Sequence, residues 1–350
     1  MTENVTDVGV VELAPNTPQR FYRGGERILA FRGLAVPGDF DSRRPEDWLA
    51  STTELFAEGG DGLTVLPDGR RLVDALEEDP TGWLGEAHLA RHGASPGLLV
   101  KLLDAGERLP VHSHPDREFA ARHLDCAHGK TEAWLVVAAE PGAQVWVGFH
   151  DDVDVTDLAE LVEAQDERLL ALLNGFEVQR GDAILVPAGQ PHAIGAGVLV
   201  VELQEPTDFS VMLEHERFGL DADHAWLGLT QQVALESVAM TALAADDIAA
   251  LRMRWLGGSG VRSALPAQAS EYFTADVVDT REVSAQLDAG FSVLVVVDGA
   301  GSLRSAHHDP VPLAVGQTFV IPHAVGDLVI DGAVTALRCS PSREPGPVRA

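Results

Sequence analysis

The chain has 350 residues, enough for two ordinary domains or one large one, and 45% of them are apolar, enough for a sizeable core. Lysine and arginine total 25 against 54 aspartates and glutamates, a formal charge of −29 that argues against nucleic acid or an anionic membrane as partner and obliges an anionic substrate to meet a local cationic patch. Cys126 and Cys339 lie far apart with no CxxC spacing, the N-terminal residues carry no basic segment leading into an apolar run, and no stretch reaches membrane-spanning length; the expectation is a soluble cytoplasmic protein with free thiols.

The predicted elements are mainly short strands. Thirty-four glycines and 20 prolines punctuate many Val/Leu/Ile runs, a β-rich texture. Residues 1–95 mix short strands with a helix near 71–78. The near-continuous apolar run "LLVKLLDA" (98–105) predicts a buried strand. "TEAWLVVAAE" and "AQVWVGF" are strands joined at Pro141-Gly142, a turn pair. Residues 156–176 predict a helix, with Leu158, Leu161, Val162, Leu169 and Leu172 near one face. Thr156 or Asp157 caps its start and Asn174-Gly175 ends it. "DAILVPAGQPH", "GVLVVELQE" and "FSVML" are strands again, residues 224–252 carry helical signals, and short strands return from residue 268.

An internal repeat lies under this order. "TEAWLVVAAEPGAQVWVG" (131–148) resembles "FSVLVVVDGAGSLRS" (291–305), each an apolar strand, a tight turn and a second strand. Each is followed by Gly-x5-Pro, as "GDAILVP" (181–187) and "GQTFVIP" (316–322), which points to two barrels of one type.

Within "GERLPVHSHPDRE" (106–118), His112 and His114 are two residues apart and share one side of a strand. A third histidine from another strand and a carboxylate would complete a four-ligand pocket for a divalent ion. Gly106-x5-His112-x-His114-x3-Glu118 resembles the first metal motif of the cupin superfamily, and Gly181-x5-Pro187-x-Gly189-x2-His192 resembles the second. The later "GQTFVIPHAVGD" lacks the Gly-x2-His, so His307, His308 and His323 are read as surface or core residues and one metal is expected, in the first barrel. His123, His128 and His150 fall at no ligand spacing.

Taken together, "LLVKLLDA", "HPD" (114–116), "GKTEAW" (129–134), "VPAGQPHAIG" (186–195) and "VELQEPTD" (201–208) resemble the class I mannose-6-phosphate isomerases, in their short bacterial form, over most of the chain. The resemblance implies an all-β fold with helical insertions, made of two cupin (jelly-roll β-barrel) domains. Residues 1–215 would be the metal-binding cupin, with a helical insertion at about 155–175; 216–265 a helical segment; and 266–350 a degenerate second cupin. It implies one divalent metal, zinc in the family, with iron or manganese as alternatives. It implies interconversion of mannose 6-phosphate and fructose 6-phosphate, an intramolecular oxidoreduction. It places the metal glutamate at Glu132 rather than Glu118, so the expected ligands are His112, His114, Glu132 and His192. Lys130 is the expected electrostatic stabiliser, Glu202 the candidate base, and Asp208 a structural turn residue. Such chemistry needs a base of near-neutral pKa, stabilisation of an enediolate and a hold on the phosphate.

Three positions depart from the family pattern. His112 stands where the family has glutamine, Pro110 where it has serine, and Met212 where it has a catalytic arginine, the natural bidentate partner of a phosphate. The partner is therefore read as a small sugar or sugar phosphate. A cupin oxygenase using iron or manganese on three histidines and a glutamate, and a catalytically silent sugar-binding homologue, are the alternative functions.

Overall fold

A computed structural model of the chain describes residues 9–56 and 59–343. The strands form three antiparallel sheets. A six-stranded sheet holds β2 (Glu46–Leu49), β3 (Leu99–Ala105), β5 (Glu132–Ala139), β8 (Asp182–Val186), β10 (Val198–Gln204) and β12 (Arg252–Arg254), in the order β12-β8-β5-β10-β3-β2. A five-stranded sheet holds β4 (His112–Ser113), β6 (Gln144–Phe149), β7 (Leu173–Glu177), β9 (His192–Ile194) and β11 (Val211–Met212), in the order β11-β4-β9-β6-β7. An eight-stranded sheet is built on β14 (Phe273–Asp279), β16 (Ser292–Ser305), β18 (Thr318–Ile321) and β19 (Leu328–Pro341), with β1 (Val11–Glu12), β13 (Gly260–Ser263), β15 (Ala285–Leu287) and β17 (Val311–Ala314) around them.

The six-stranded sheet lies between the other two. One face, through Val100, Leu102, Leu135 and Val201, packs on Val277, Val293, Val295 and Leu337 of the eight-stranded sheet. The opposite face, through Leu103, Trp134, Val136 and Val200, packs on Val145, Val147 and Ile194 of the five-stranded sheet. Both faces being covered, β3, β8 and β10 are buried along their whole length. That explains why "LLVKLLDA" is a continuous apolar run instead of an alternating one. The outer face of the five-stranded sheet is roofed by helices Val155–Glu163 and Gln231–Leu235, whose Leu158, Val162 and Leu235 pack on Val111, Phe149 and Val211.

Two expectations about local structure are corrected. The predicted helix over 156–176 is two short helices, Val155–Glu163 and Arg168–Ala171, followed by β7. It breaks at Gln165, which takes the left-handed region (φ 48°). The Gln165 side chain donates to the carbonyls of Val162 and Leu213 and accepts from the His215 amide at 2.7 Å, ties that a continuous helix would forfeit. The first helix is capped by Asp154, not by Thr156 or Asp157. In the repeat, the first copy turns at Gly142 and sends β5 and β6 into different sheets, whereas the second is one 14-residue strand, β16, with an irregularity near Asp298. The Gly-x5-Pro copies do correspond: Gly181 and Gly316 both adopt positive φ (94° and 88°), and each leads into a strand, β8 or β18, paired with β5 or β16.

Chain order and sheet membership diverge at two places. β1, from the N-terminal segment, pairs with β18, and β12, from the stretch expected to be helical, pairs with β8. No helix among the described residues is long and apolar enough to cross a membrane.

Leu102 is fully buried between two sheets, so Leu102→Ala should cost about 2–5 kcal/mol in urea unfolding. Val283→Ala, at an exposed position, should fall within about 0.5 kcal/mol of the parent.

Candidate functional site

The site lies where the five- and six-stranded sheets face each other. His112 and His192 are direct partners across β4 and β9. His114 follows on the same face of its strand, and the three rings pack with centroids 4.1–5.0 Å apart. One ligand nitrogen from each lies within 4.8 Å of the others. Glu132 opens β5 on the opposing sheet, on the same face as Trp134, whose indole N–H donates to Glu132 Oε1 at 2.9 Å. All four expected ligands thus converge and are buried. Glu118, the other carboxylate of the first motif, sits in helix Arg117–His123, is exposed and pairs with Arg122. His307, His308 and His323, like His123, His128 and His150, lie outside this group.

Backbone packing fixes the geometry. Each imidazole donates from Nδ1 to a main-chain carbonyl: His112 to Pro110 at 2.9 Å, His114 to Phe209 at 2.8 Å and His192 to Gln190 at 2.8 Å. A carbonyl oxygen can only accept, so the proton sits on Nδ1 and the Nε2 lone pair is free to coordinate. The glycines of the motifs allow close approaches. A Cβ on Gly129 would lie 2.7 Å from the backbone at residues 115–116, and one on Gly106 would lie 2.8 Å from the Gly24 Cα. Gly189, at φ 86°, donates its amide to the His114 carbonyl at 2.7 Å and so ties the second motif to the first.

The electrostatics call for a cation. Burial, followed by the neighbouring His192 ring, holds His112 well below its ordinary value. Burial and Lys130 push His114 down to about 3, so both rings are neutral at pH 7. Burial opposes the charge of Glu132, but the neighbouring Lys130 ammonium outweighs it and holds the carboxyl well below its usual range. A lone pair on His114 Nε2 therefore faces the Glu132 carboxylate at 2.9 Å, and His192 Nε2 faces it at 3.3 Å. His192 Nε2 is buried and makes no hydrogen bond among the described residues. Lone pairs aimed at a carboxylate repel unless positive charge sits among them, and neutral imidazoles with an ionised carboxylate are the donor set of a divalent ion. Lys130 supplies part of that charge, with Nζ 3.1 Å from Glu132 Oε2 and 2.8 Å from His114 Nε2. It is buried in the site and is no surface lysine.

Glu202, on β10, points to the same interior face as Val198 and Val200. Burial, helped by the charge of Glu132, raises it to about 7. Its partner is Lys101, 3.4 Å away, which also reaches Glu46 at 3.4 Å and lies over the Trp48 ring. Glu46 accepts from Tyr22 at 2.5 Å and from Trp48 at 2.7 Å, and pairs with Arg20 at 3.2 Å. Arg20 is in turn held by Asp208 at 3.1 Å, so Asp208 does hold the architecture together, through a partner 188 residues away.

Sequence reading missed Arg20, Tyr22, Glu46 and Lys101 as pocket residues. Only Lys101 carried a signal, a lone cation inside an apolar run, where burial without a partner is costly. These groups, with His112, Lys130, Glu132 and Glu202, line one narrow pocket. Pro110 and Met212 also line it, and Met212 is the direct strand neighbour of His112. Arg217 and His215 do not fill the place of a missing arginine: Arg217 stacks on Phe218 and His215 on Trp226.

The chain matches no family model. It is 26% identical to the mannose-6-phosphate isomerase of Streptococcus mutans over 314 residues, covering 88% of this chain and 91% of that one. The crystal structure of the mannose 6-phosphate isomerase of Bacillus subtilis superposes with a TM-score of 0.72 at 23% identity, covering 95% of this chain and 99% of that one. A mannose 6-phosphate isomerase crystallised with zinc and yttrium superposes with a TM-score of 0.73 at 15% identity, covering 96% and 100%. At these identities the structural likenesses establish a shared fold.

Lys101→Met would leave Glu46 and Glu202 buried without their shared cation. It should lower stability by about 3–5 kcal/mol in urea unfolding at pH 7, and by less as falling pH protonates Glu202, while Glu46 stays ionised beside Arg20. A loss under about 1 kcal/mol would show that this ion network is hydrated.

Proposed function

We propose that this chain, a member of the mannose-6-phosphate isomerase family, is a metal-dependent aldose–ketose isomerase. The observation that carries the reading is the convergence of three imidazoles and Glu132 beside Lys130 and Glu202. His112, His114, Glu132 and His192 would hold the ion, zinc in first place and iron or manganese as alternatives. When bound, it supplies Lewis-acid polarisation of the sugar oxygens. Glu202 is the base that takes and returns the proton between C1 and C2, its pKa of about 7 matching neutral operation. Lys130 offsets the negative charge that develops beside Glu132. Lys101 orients the Glu202 carboxylate, and Tyr22, Leu103 and Leu109 shield the pocket from water. We read the three sheets as two jelly-roll barrels with the site in the first, in a soluble cytoplasmic enzyme.

The walls bear on the substrate. Arg20 is answered by Glu46 and Asp208, Lys101 by Glu46 and Glu202, and Lys130 by Glu132, while Met212 and Pro110 are apolar. No unmatched cation is left for a phosphate in the inner pocket, so it receives the uncharged C1–C2 end of a sugar. A phosphate, where the substrate has one, extends into the adjoining outer pocket of about 390 Å³, which shares Arg20 and Met212 and is lined by Arg43.

The test is NMR detection of deuterium exchange at C2 across free and phosphorylated aldoses. Exchange should vanish on chelation and return with zinc. Glu202→Gln should lower kcat by about 10²–10⁴-fold with metal content unchanged. The ratio kcat/KM should rise with pH through about 7, because the base acts only when ionised. Zinc-loaded protein that exchanges C2 in no sugar would sink the reading. The third histidine, His112, keeps one alternative open, an iron or manganese oxygenase, for which oxygen consumption by the iron-loaded protein is the discriminating result.

A further inference from the structure

A further cavity, of about 300 Å³, opens between helix Glu86–His92 and the eight-stranded sheet, away from the candidate metal site. Three arginines line it, Arg91, Arg338 and Arg343, together with His88 and His323, and Asp288 is the one carboxylate in its wall. That composition inverts the chain's overall balance of 54 acidic to 25 basic residues.

Arg338 is the central group. It projects from β19 between Asp276 of β14 and Leu294 of β16, and it is 5% exposed. Its Nε donates to Ser292 Oγ at 3.1 Å, and Nη2 donates to the carbonyls of Asp288 at 2.8 Å and Gly290 at 3.4 Å. Nη1 makes no hydrogen bond among the described residues; Asp276, the cross-strand neighbour, and Asp288 act on this guanidinium through charge, but neither carboxylate comes within salt-bridge distance of it. Arg20 and Arg32, half-buried arginines elsewhere in the fold, are both paired with carboxylates. A buried guanidinium held rigidly by neutral acceptors, with donors to spare, is built to meet an anion. Arg91 and Arg343, both exposed and outside any ion pair among the described residues, add charge at the rim. Phe291 and Pro341 offer apolar wall for the body of a small ligand.

We propose that this cavity binds a small molecule bearing a phosphate-class dianion, with Arg338 as the buried anchor and Arg91 and Arg343 as rim contacts. Guanidinium forks fit tetrahedral phosphate oxygens, and the acidity of the rest of the surface turns away polyanions such as nucleic acid. The site does not depend on the isomerase reading, since none of its residues lines the candidate active site.

The test is calorimetric titration of the full chain with inorganic phosphate and with mannose 6-phosphate, at constant ionic strength. Wild-type protein should bind at least one of them in the millimolar range or tighter, and Arg91→Ser/Arg343→Ser should weaken that binding about tenfold or more. Equal affinity for both identifies free phosphate as the ligand, and tighter binding of the ester identifies a phosphorylated metabolite. Arg338→Gln, checked for native folding by circular dichroism, should abolish binding. If that variant unfolds, the rim double variant decides alone. No binding by the wild type, or binding untouched by the rim substitutions, overturns the proposal. Binding to the outer pocket beside Met212 is told apart because the rim substitutions leave it unchanged.

Discussion

The six-stranded sheet is covered on both faces, and most of what distinguishes this molecule follows from that constraint. Charged side chains placed in such a sheet cannot be satisfied by water. Lys101, Glu46, Glu202, Glu132 and Lys130 all belong to it or enter it, and each is buried. They are sustained only because they neutralise one another and because Arg20, Asp208 and Tyr22 close the chain of contacts. Burial of an ion pair by itself contributes little stability, and an apolar replacement often serves better. A buried polar network along one wall of a pocket is more readily understood as the machinery of a site.

The same burial sets the acid–base character of that wall. Glu132 and Glu202 are both buried glutamates on neighbouring strands, yet they diverge. Lys130 holds Glu132 ionised against its burial, while burial and the charge of Glu132 lift Glu202 to about 7. Two carboxyls pushed apart in this way are suited to two tasks, one permanently charged and one able to exchange a proton. The imidazoles are locked in one tautomer by main-chain carbonyls, so the ligand geometry does not rely on side-chain partners that could move.

Charge matching also organises the chain on a larger scale. Arginines elsewhere are mostly answered by carboxylates, as expected with a twofold excess of acids. Arg338 is the contrast, hydrogen-bonded to serine and carbonyl oxygens, with Asp276 and Asp288 acting on it only from beyond salt-bridge distance. Within the candidate active site the balance runs the other way, with every inner cation already matched and Met212 presenting a thioether beside His112. One molecule thus has an inner pocket whose cations are all matched and a separate basic cavity in its other half.

The sequence by itself determined the strand texture, the buried strand over 98–105 and the three histidines that meet at the candidate metal centre. Alternation along a strand and motif spacing are local properties, and His112, His114 and His192 each lie at a motif position, whereas spacing alone offered Glu118 and the family resemblance was needed to point to Glu132. It could not determine where the predicted helix over 156–176 breaks, because Gln165 is bent by bonds to Leu213 and His215, about 50 residues away. Nor could it show that the second copy of the repeat is one continuous strand, since that depends on the long pairing of β16 with β19. Only tertiary structure decided which face of β10 holds Glu202, and only it joined Arg20 to Asp208 and Glu46 to Lys101. Those pairs have no spacing to read, because they exist where strands remote in sequence are pressed together without water between them.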